Sequence, residues 1–179
     1  MDADSSFKVN INGSKIPSIG YGTMLFPEPE KAVELISFAL DCGYRHIDTA
    51  RKYGSEAWVG EAIKHSPVAR EDIWVTTKVT EENAKAYDFA QSVETSLTTM
   101  GLNYVDLLLI HWPQPNVSLG ETIGALVKAK NEGLAKNIGI SNFTVDLINQ
   151  AAELSSEPLF TNDTPQGKAK NRRTDIIIN

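Results

Sequence analysis

Val105-Asp106-Leu107-Leu108-Leu109-Ile110-His111 is an almost unbroken apolar run that closes on a histidine. A strand with one wet face alternates apolar and polar residues, whereas a run apolar at both parities suits a parallel strand buried on both faces. Similar stretches flank it: His46-Ile47-Asp48-Thr49 and Ile73 to Val79 before it, Lys136 to Ser141 after it. Their ends near 49, 78, 111 and 141 lie about 30 residues apart, the length of a strand and a helix that returns the chain in parallel. The spacing predicts an α/β fold with a parallel sheet. It leaves open whether that sheet is flat and open or closed into a barrel.

Between the strands, apolar residues recur at helical spacing. Val33, Ile36 and Leu40 mark a helix from Glu30 to Cys42, which Gly43 ends. A second helix runs from about Ser55, as N-cap, to Lys64. Phe89, Val93, Leu97 and Met100 mark a third, stopped by Gly101. Ser118-Leu119-Gly120-Glu121 has capping-box spacing and opens a fourth through Asn131. Thr144 caps a fifth that carries Leu147, Ala151 and Leu154. Residues 7 to 16 alternate around Asn12-Gly13, a two-residue hairpin signal, and are expected to cap one end of the sheet assembly. Ile19-Gly20-Tyr21-Gly22 is the expected first parallel strand, and Leu159-Phe160-Thr161-Asn162 the sixth. A dinucleotide fingerprint fails after the first, because Leu25 holds the third glycine position and Pro27 and Pro29 prevent an immediate helix.

The 179 residues suffice for one domain with a real core, but are short for a complete (β/α)8 barrel of about 250. A net charge of -6 favours neither nucleic acid nor an anionic membrane as partner. With no apolar run near the roughly 18 residues of a spanning helix, and no signal-like start at Met1-Asp2-Ala3-Asp4, a cytoplasmic location is expected. The one cysteine, Cys42, rules out an internal disulfide and reads as a small buried hydrophobe.

Four ionisable groups stand at or near strand ends: Asp48, Tyr53, Lys78 and His111. A tyrosine, with an unperturbed pKa of about 10, is a poor acid at neutral pH unless a nearby cation stabilises its phenolate. Lys78 can supply that cation and Asp48 can hold it; His111 can orient a carbonyl oxygen. Taken singly, Asp48 reads as a turn cap, Tyr53 as packing, Lys78 as surface charge and His111 as a structural histidine. Their joint appearance at successive strand ends favours a site.

Together with Gly20-Tyr21-Gly22-Thr23, Gly43 to Ala50, Tyr53-Gly54-Ser55-Glu56, Thr77-Lys78, Leu108 to Pro113 and Gly139 to Phe143, this constellation resembles the aldo-keto reductase family. The resemblance implies a (β/α)8 TIM barrel, here incomplete at about six strands, with an N-terminal β-hairpin. It implies NADPH-dependent reduction of small aldehydes or ketones, with Asp48, Tyr53, Lys78 and His111 as catalytic residues. It further implies cofactor contacts from Gly22, Thr23, Asp48, Ser141 and Asn142, and substrate contacts from His111 and Trp112. Met24 stands where many members carry an aromatic residue. Nothing in these residues separates NADPH from NADH.

Residues 1–162 are expected to form the partial barrel and 163–179 a divergent, disordered tail. The tail carries +2 against -8 for the rest, with Lys168, Lys170, Arg172 and Arg173 in six positions. Asp163 stands where the family has a glutamine that stacks on the nicotinamide, and the residues that grip the adenosine end of the cofactor follow later in the family. An inactive barrel fragment or interaction module is therefore the alternative to an enzyme, with self-association through open sheet edges. A metal-dependent hydrolase is disfavoured: His46, His65 and His111 lie far apart, without His-x-His or HExxH spacing, so no metal is expected.

Overall fold

The computed structural model describes residues 7–9, 14–26 and 28–161. The Asn12-Gly13 turn and the expected tail at 163–179 lie outside them. An antiparallel pair, β1 (Phe7–Val9) and β2 (Lys15–Pro17), precedes six strands that run parallel in sequence order. These are β3 (Tyr21–Gly22), β4 (His46–Asp48), β5 (Trp74–Val79), β6 (Val105–Ile110), β7 (Ala135–Ile140) and β8 (Leu159–Thr161). Five helices return the chain between them: α1 (Ala32–Asp41), α2 (Glu56–His65), α3 (Ala86–Met100), α4 (Leu119–Asn131) and α5 (Val145–Leu154). This is six strands' worth of a (β/α)8 barrel, and strand order without crossover is what distinguishes it from a doubly wound sheet. No helix among the described residues is long and apolar enough to cross a membrane.

Strand parity sorts the core into two faces. Ile47, Val75, Val79, Leu108, Ile110, Ile138 and Ile140 point to the helices and join Ile36, Val59, Phe89, Val93 and Leu126 in one cluster. Trp74, Leu107, Leu109 and Phe160 point the other way and form a second cluster with Ile16 of the hairpin. The hairpin thus plugs the barrel at the N-terminal ends of the strands, where Ser14 also donates to Asn137 Oδ1 at 2.8 Å. The acid that interrupts the apolar run, Asp106, is buried near that end and fully engaged. Its Oδ2 accepts from Val75 N (3.0 Å) and pairs with Arg70 (2.8 Å), and its Oδ1 lies 3.3 Å from Lys136. The inner face crowds backbones together: a Cβ on Gly139 would stand 2.4 Å from Phe160 O.

Several local expectations are corrected by longer-range partners. Cys42 is exposed rather than buried, because it is the C-cap of α1 and projects from the helix end. The capping box at Ser118 does not form; its Glu121 instead accepts from the backbone N–H of Ala86 (2.9 Å) and so caps α3. Ser55 precedes α2 without capping it. Leu154, expected on the packed face of α5, is exposed. Thr144 does cap α5, its hydroxyl accepting from Leu147 N, and Gly101 ends α3 in the left-handed region with φ 66°.

His46 is fully buried on the inner face, and its Nε2 lies 3.0 Å from Thr76 Oγ1. Burial first, and the charge of Lys78 second, lower its pKa to about 3, although a bond to the backbone of Pro17 works the other way. The unfolded chain takes up this proton near pH 6.5, the folded chain only near 3. The neutral ring's contribution is therefore complete above about 6.5 and is lost as pH falls through that window, at up to about 1.4 kcal/mol per pH unit. Urea unfolding at about pH 7 and about pH 4.5 should show a shallower loss for His46→Gln than for the wild type. By the same method, Gly139→Ala should cost at least ~1–3 kcal/mol through overpacking against β8.

Candidate active site

Register brings the chemistry to one place. Asp48 pairs with Thr76 across β4 and β5, and Lys78 pairs with Leu109 across β5 and β6. Asp48, Lys78 and His111 therefore share the inward parity of Trp74, Leu107 and Leu109, at the C-terminal ends of three adjacent strands. Tyr53 arrives from a different element: a 3-10 turn, Arg51–Tyr53, closes on Gly54 in the left-handed region at φ 68°. That conformation suits glycine and ends the turn directly after the tyrosine, whose hydroxyl lies 3.2 Å from Lys78 Nζ.

The ammonium of Lys78 is 1% exposed and uses each of its three N–H groups. It donates to Asp48 Oδ1 at 2.6 Å, to Thr49 O at 3.0 Å and to Tyr53 OH at 3.2 Å. Burial works against its charge, but Asp48 and then Tyr53 outweigh it, and the group is held above the ordinary lysine range. His111 stacks edge-on against Tyr53, with ring centroids 5.6 Å apart. Its backbone is fixed from both neighbouring strands: its N–H donates to Val79 O (2.9 Å), and its carbonyl accepts from Asn142 Nδ2 (2.8 Å). All four expected catalytic residues meet.

The expected cofactor residues divide. Gly22 ends β3 with nothing within 4 Å of where a Cβ would stand. Thr23 lines the cleft but its hydroxyl is committed inward, and Asn142 sits at φ 62° with its amide nitrogen on His111 O and Ser141 Oγ. Ser141 and Asn142 line the same cleft of about 730 Å³ as Tyr53, Lys78 and His111. Met24, Phe26, Trp58 and the half-exposed Trp112 supply its apolar lining.

Two features were not read from the sequence. One is a hydroxyl chain beneath the site. Thr23 Oγ1 donates to Asp48 O (3.1 Å), and Ser55 Oγ lies 2.8 Å from Thr23 Oγ1 and 2.9 Å from Thr49 Oγ1. A carbonyl only accepts, so the single proton of Thr23 is spent there; Ser55 must donate to Thr23, and Thr49 to Ser55. This ties the ends of β3 and β4 to the start of α2, directly after the 3-10 turn that carries Tyr53. The other is Lys52, whose Nζ lies 2.7 Å from Glu81 Oε1 at the edge of the cleft. A Ser-Glu or Lys-Tyr dipeptide gives no sign of such partners, which are distant in sequence. Ser55→Ala should leave the Thr49 hydroxyl without its acceptor and lower stability by about 1–3 kcal/mol, measured by urea unfolding.

A family model described as the aldo/keto reductase family matches residues 18–167. The methylglyoxal reductase DkgB of Escherichia coli O157:H7 is 44% identical over 150 residues, covering 82% of this chain and 56% of that protein. An aldo-keto reductase of Mycobacterium sp. (strain MCS) is 40% identical over 149 residues, covering 82% and 52%. Among solved structures, the aldo/keto reductase from Brucella melitensis superposes with a TM-score of 0.78 at 40% identity, over 86% of this chain and 60% of that one. The Bombyx mori aldo-keto reductase in complex with NADP superposes at 0.80 with 30% identity, over 86% and 55%. The chain spans about half the length of the curated relatives it matches.

Proposed function

The chain belongs to the aldo/keto reductase family, and on that premise we propose that it reduces small aldehydes or ketones to alcohols with NADPH, Tyr53 giving the proton. The observation that carries this reading is the single, buried ammonium of Lys78, bonded to both Asp48 and Tyr53 where it lines the cleft. A nicotinamide group fits the residues present. The backbone at Gly22 is open to close approach, and Ser141 and Asn142 line the cleft beside it. When bound, the cofactor supplies hydride to the carbonyl carbon.

The remaining work belongs to the chain. As negative charge grows on the carbonyl oxygen, the Tyr53 hydroxyl transfers its proton to that oxygen. The phenolate left behind lies against the Lys78 ammonium, which favours the charged form most strongly in a site with little water. Asp48 keeps that ammonium in place, and its carboxylate offsets the cost of burying it. His111, beside the phenol, directs the carbonyl oxygen by hydrogen bonding. Gly22, Thr23, Asp48, Ser141 and Asn142 would hold the cofactor, Thr23 through its backbone because its hydroxyl is engaged; Trp112 would flank the substrate.

The curated relatives from Escherichia coli, Yersinia pestis and Salmonella are named methylglyoxal reductases, so methylglyoxal is the first substrate to try. NADPH oxidation by the purified chain should saturate with methylglyoxal, and Tyr53→Phe should lower kcat/KM by about 10²–10⁴ while the fold is kept. Unchanged activity in that variant would remove Tyr53 from the role. A fluorescence titration with NADPH separates binding from chemistry. A folded chain that binds no cofactor up to millimolar concentration would point instead to a non-catalytic interaction module.

A further inference from the structure

Tyr53 is carried by the short 3-10 turn Arg51–Tyr53 rather than by a strand, and Lys52 stands directly before it. Among the described residues the ammonium of Lys52 bonds one acceptor, Glu81 Oε1 at 2.7 Å; Glu82 draws on the same charge without bonding it. Glu81 opens a second 3-10 turn, Glu81–Asn83, three residues beyond Lys78. That turn is pinned to the end of β5, because Asn83 donates its N–H to Thr80 O at 3.0 Å and its Nδ2 to Thr80 Oγ1 at 3.1 Å.

Glu81 is held from the β6 side as well. Gln114, three residues beyond His111, donates Nε2 to Glu81 O at 3.4 Å. Its Oε1 accepts from Asn116 N at 3.2 Å, which sets the amide with its nitrogen toward Glu81. Glu81 therefore joins three segments, each one to three residues from Tyr53, Lys78 or His111. Its side chain is 25% exposed and its Oε2 is sealed from solvent, so it is lodged in the wall of the cleft that Lys52, Tyr53 and His111 also line. The bond from Lys52 first, and the charges of Lys52 and His111 after it, hold the Glu81 carboxyl below the usual carboxylate range, although burial works the other way. The link is thus ionised at neutral pH.

An ion pair with a half-exposed lysine contributes little to overall stability. Its effect is local. A strand end is fixed by its ladder, whereas the phenol of Tyr53 lies where its turn puts it. Resting on the carbonyl-reducing reading, we propose that Glu81 is a positioning residue, which through Lys52 and Gln114 holds the Tyr53 turn and the His111 loop at a fixed separation across the cleft. A misplacement of about 1 Å between reacting groups can cost about 100-fold in rate, so a link that matters little to folding can matter to turnover.

Steady-state reduction of methylglyoxal tests this. Glu81→Ala should lower kcat roughly tenfold with KM changed less than about twofold, and should leave the urea midpoint nearly unmoved. Lys52→Met should do the same, and the double variant should be no worse than either, because both cut one link. Glu81→Gln, whose amide oxygen still accepts from the Lys52 ammonium, should keep most of kcat. Unchanged kcat in folded Glu81→Ala, multiplied losses in the double variant, or equal losses in Glu81→Gln and Glu81→Ala would each overturn the assignment. Should Glu81→Ala fail to fold, Lys52→Met carries the same comparisons, with Lys52→Arg as its conservative partner. NMR of the chain labelled with carbon-13 at tyrosine Cζ and histidine Cε1 reads the link without turnover. The Tyr53 and His111 lines should both move in Glu81→Ala and stay near their wild-type positions in Glu81→Gln. Such shifts in a chain that reduces nothing keep the link while sinking the reductase reading; lines unmoved in Glu81→Ala overturn the link whatever the activity.

Discussion

A lysine ammonium with almost no water around it must have its charge and its three donors satisfied by the protein, and Lys78 meets that requirement with one carboxylate, one carbonyl and one phenol. Burying an ion of this size without partners costs several kcal/mol or more, so the partners matter to stability as well as to the chemistry proposed for the site. Asp48 comes from β4, Thr49 O from the residue after it, and Tyr53 from the turn beyond. The ammonium consequently fixes the spacing between β4 and β5 and the path of residues 49–53 at once. The dry setting that makes the ion pair demanding also makes it effective, since fixed charges act most strongly where water is excluded.

That constraint is relayed rather than isolated. Thr49 presents its carbonyl to Lys78 and its hydroxyl to Ser55, and Ser55 reaches Thr23 at the end of β3. Glu56, the first residue of α2, is buried and accepts from the Thr77 hydroxyl at 2.7 Å, so the same helix start is tied to β5 as well. Asn142 closes the other side by bonding His111 O from the end of β7. Five strand ends are thereby linked by short polar side chains, which suits a place where the sheet stops and backbone groups lose their ladder partners. The opposite end of the strands is built for stability instead, with Ile16 of the hairpin against Trp74 and with Asp106 held by Arg70 and Lys136.

Much of this was legible in the sequence, for identifiable reasons. The run Val105 to Ile110 reads as a doubly buried parallel strand because both of its faces do pack, one on helices and one on the barrel interior. Asp48, Lys78 and His111 could be grouped because strand ends in a parallel sheet all lie on one side. What misled were the residues whose local preference competes with a distant partner. Ser55 and Ser118 precede helices as caps should, yet Ser55 gives its hydroxyl to Thr23 and Thr49, and Glu121 turns to α3 instead of completing a box. Cys42 stands two residues beyond Leu40, the last residue of the apolar face, and one beyond the end of α1, and so leaves that face. Hydroxyls, carboxylates and helix ends are decided by what the fold brings near, which periodicity does not record.

The distribution of roles along the chain has a further consequence. Asp48, Tyr53, Lys78 and His111 all come from β4 to β6 and the turn after β4, so their mutual geometry depends on two strand pairings and one 3-10 turn. These are also pairings with buried partners on both faces, β5 and β6 being buried at each of their residues. The groups proposed to hold a cofactor are spread more widely, from Gly22 on β3 to Ser141 and Asn142 after β7. The groups proposed for proton transfer and those proposed to hold a cofactor thus sit on separable parts of this architecture. The first set rests on a compact, well-buried centre; the second depends on how many strand ends contribute around it. A chain of this design can hold its acid, cation and carboxylate in register while its hold on a long ligand varies independently.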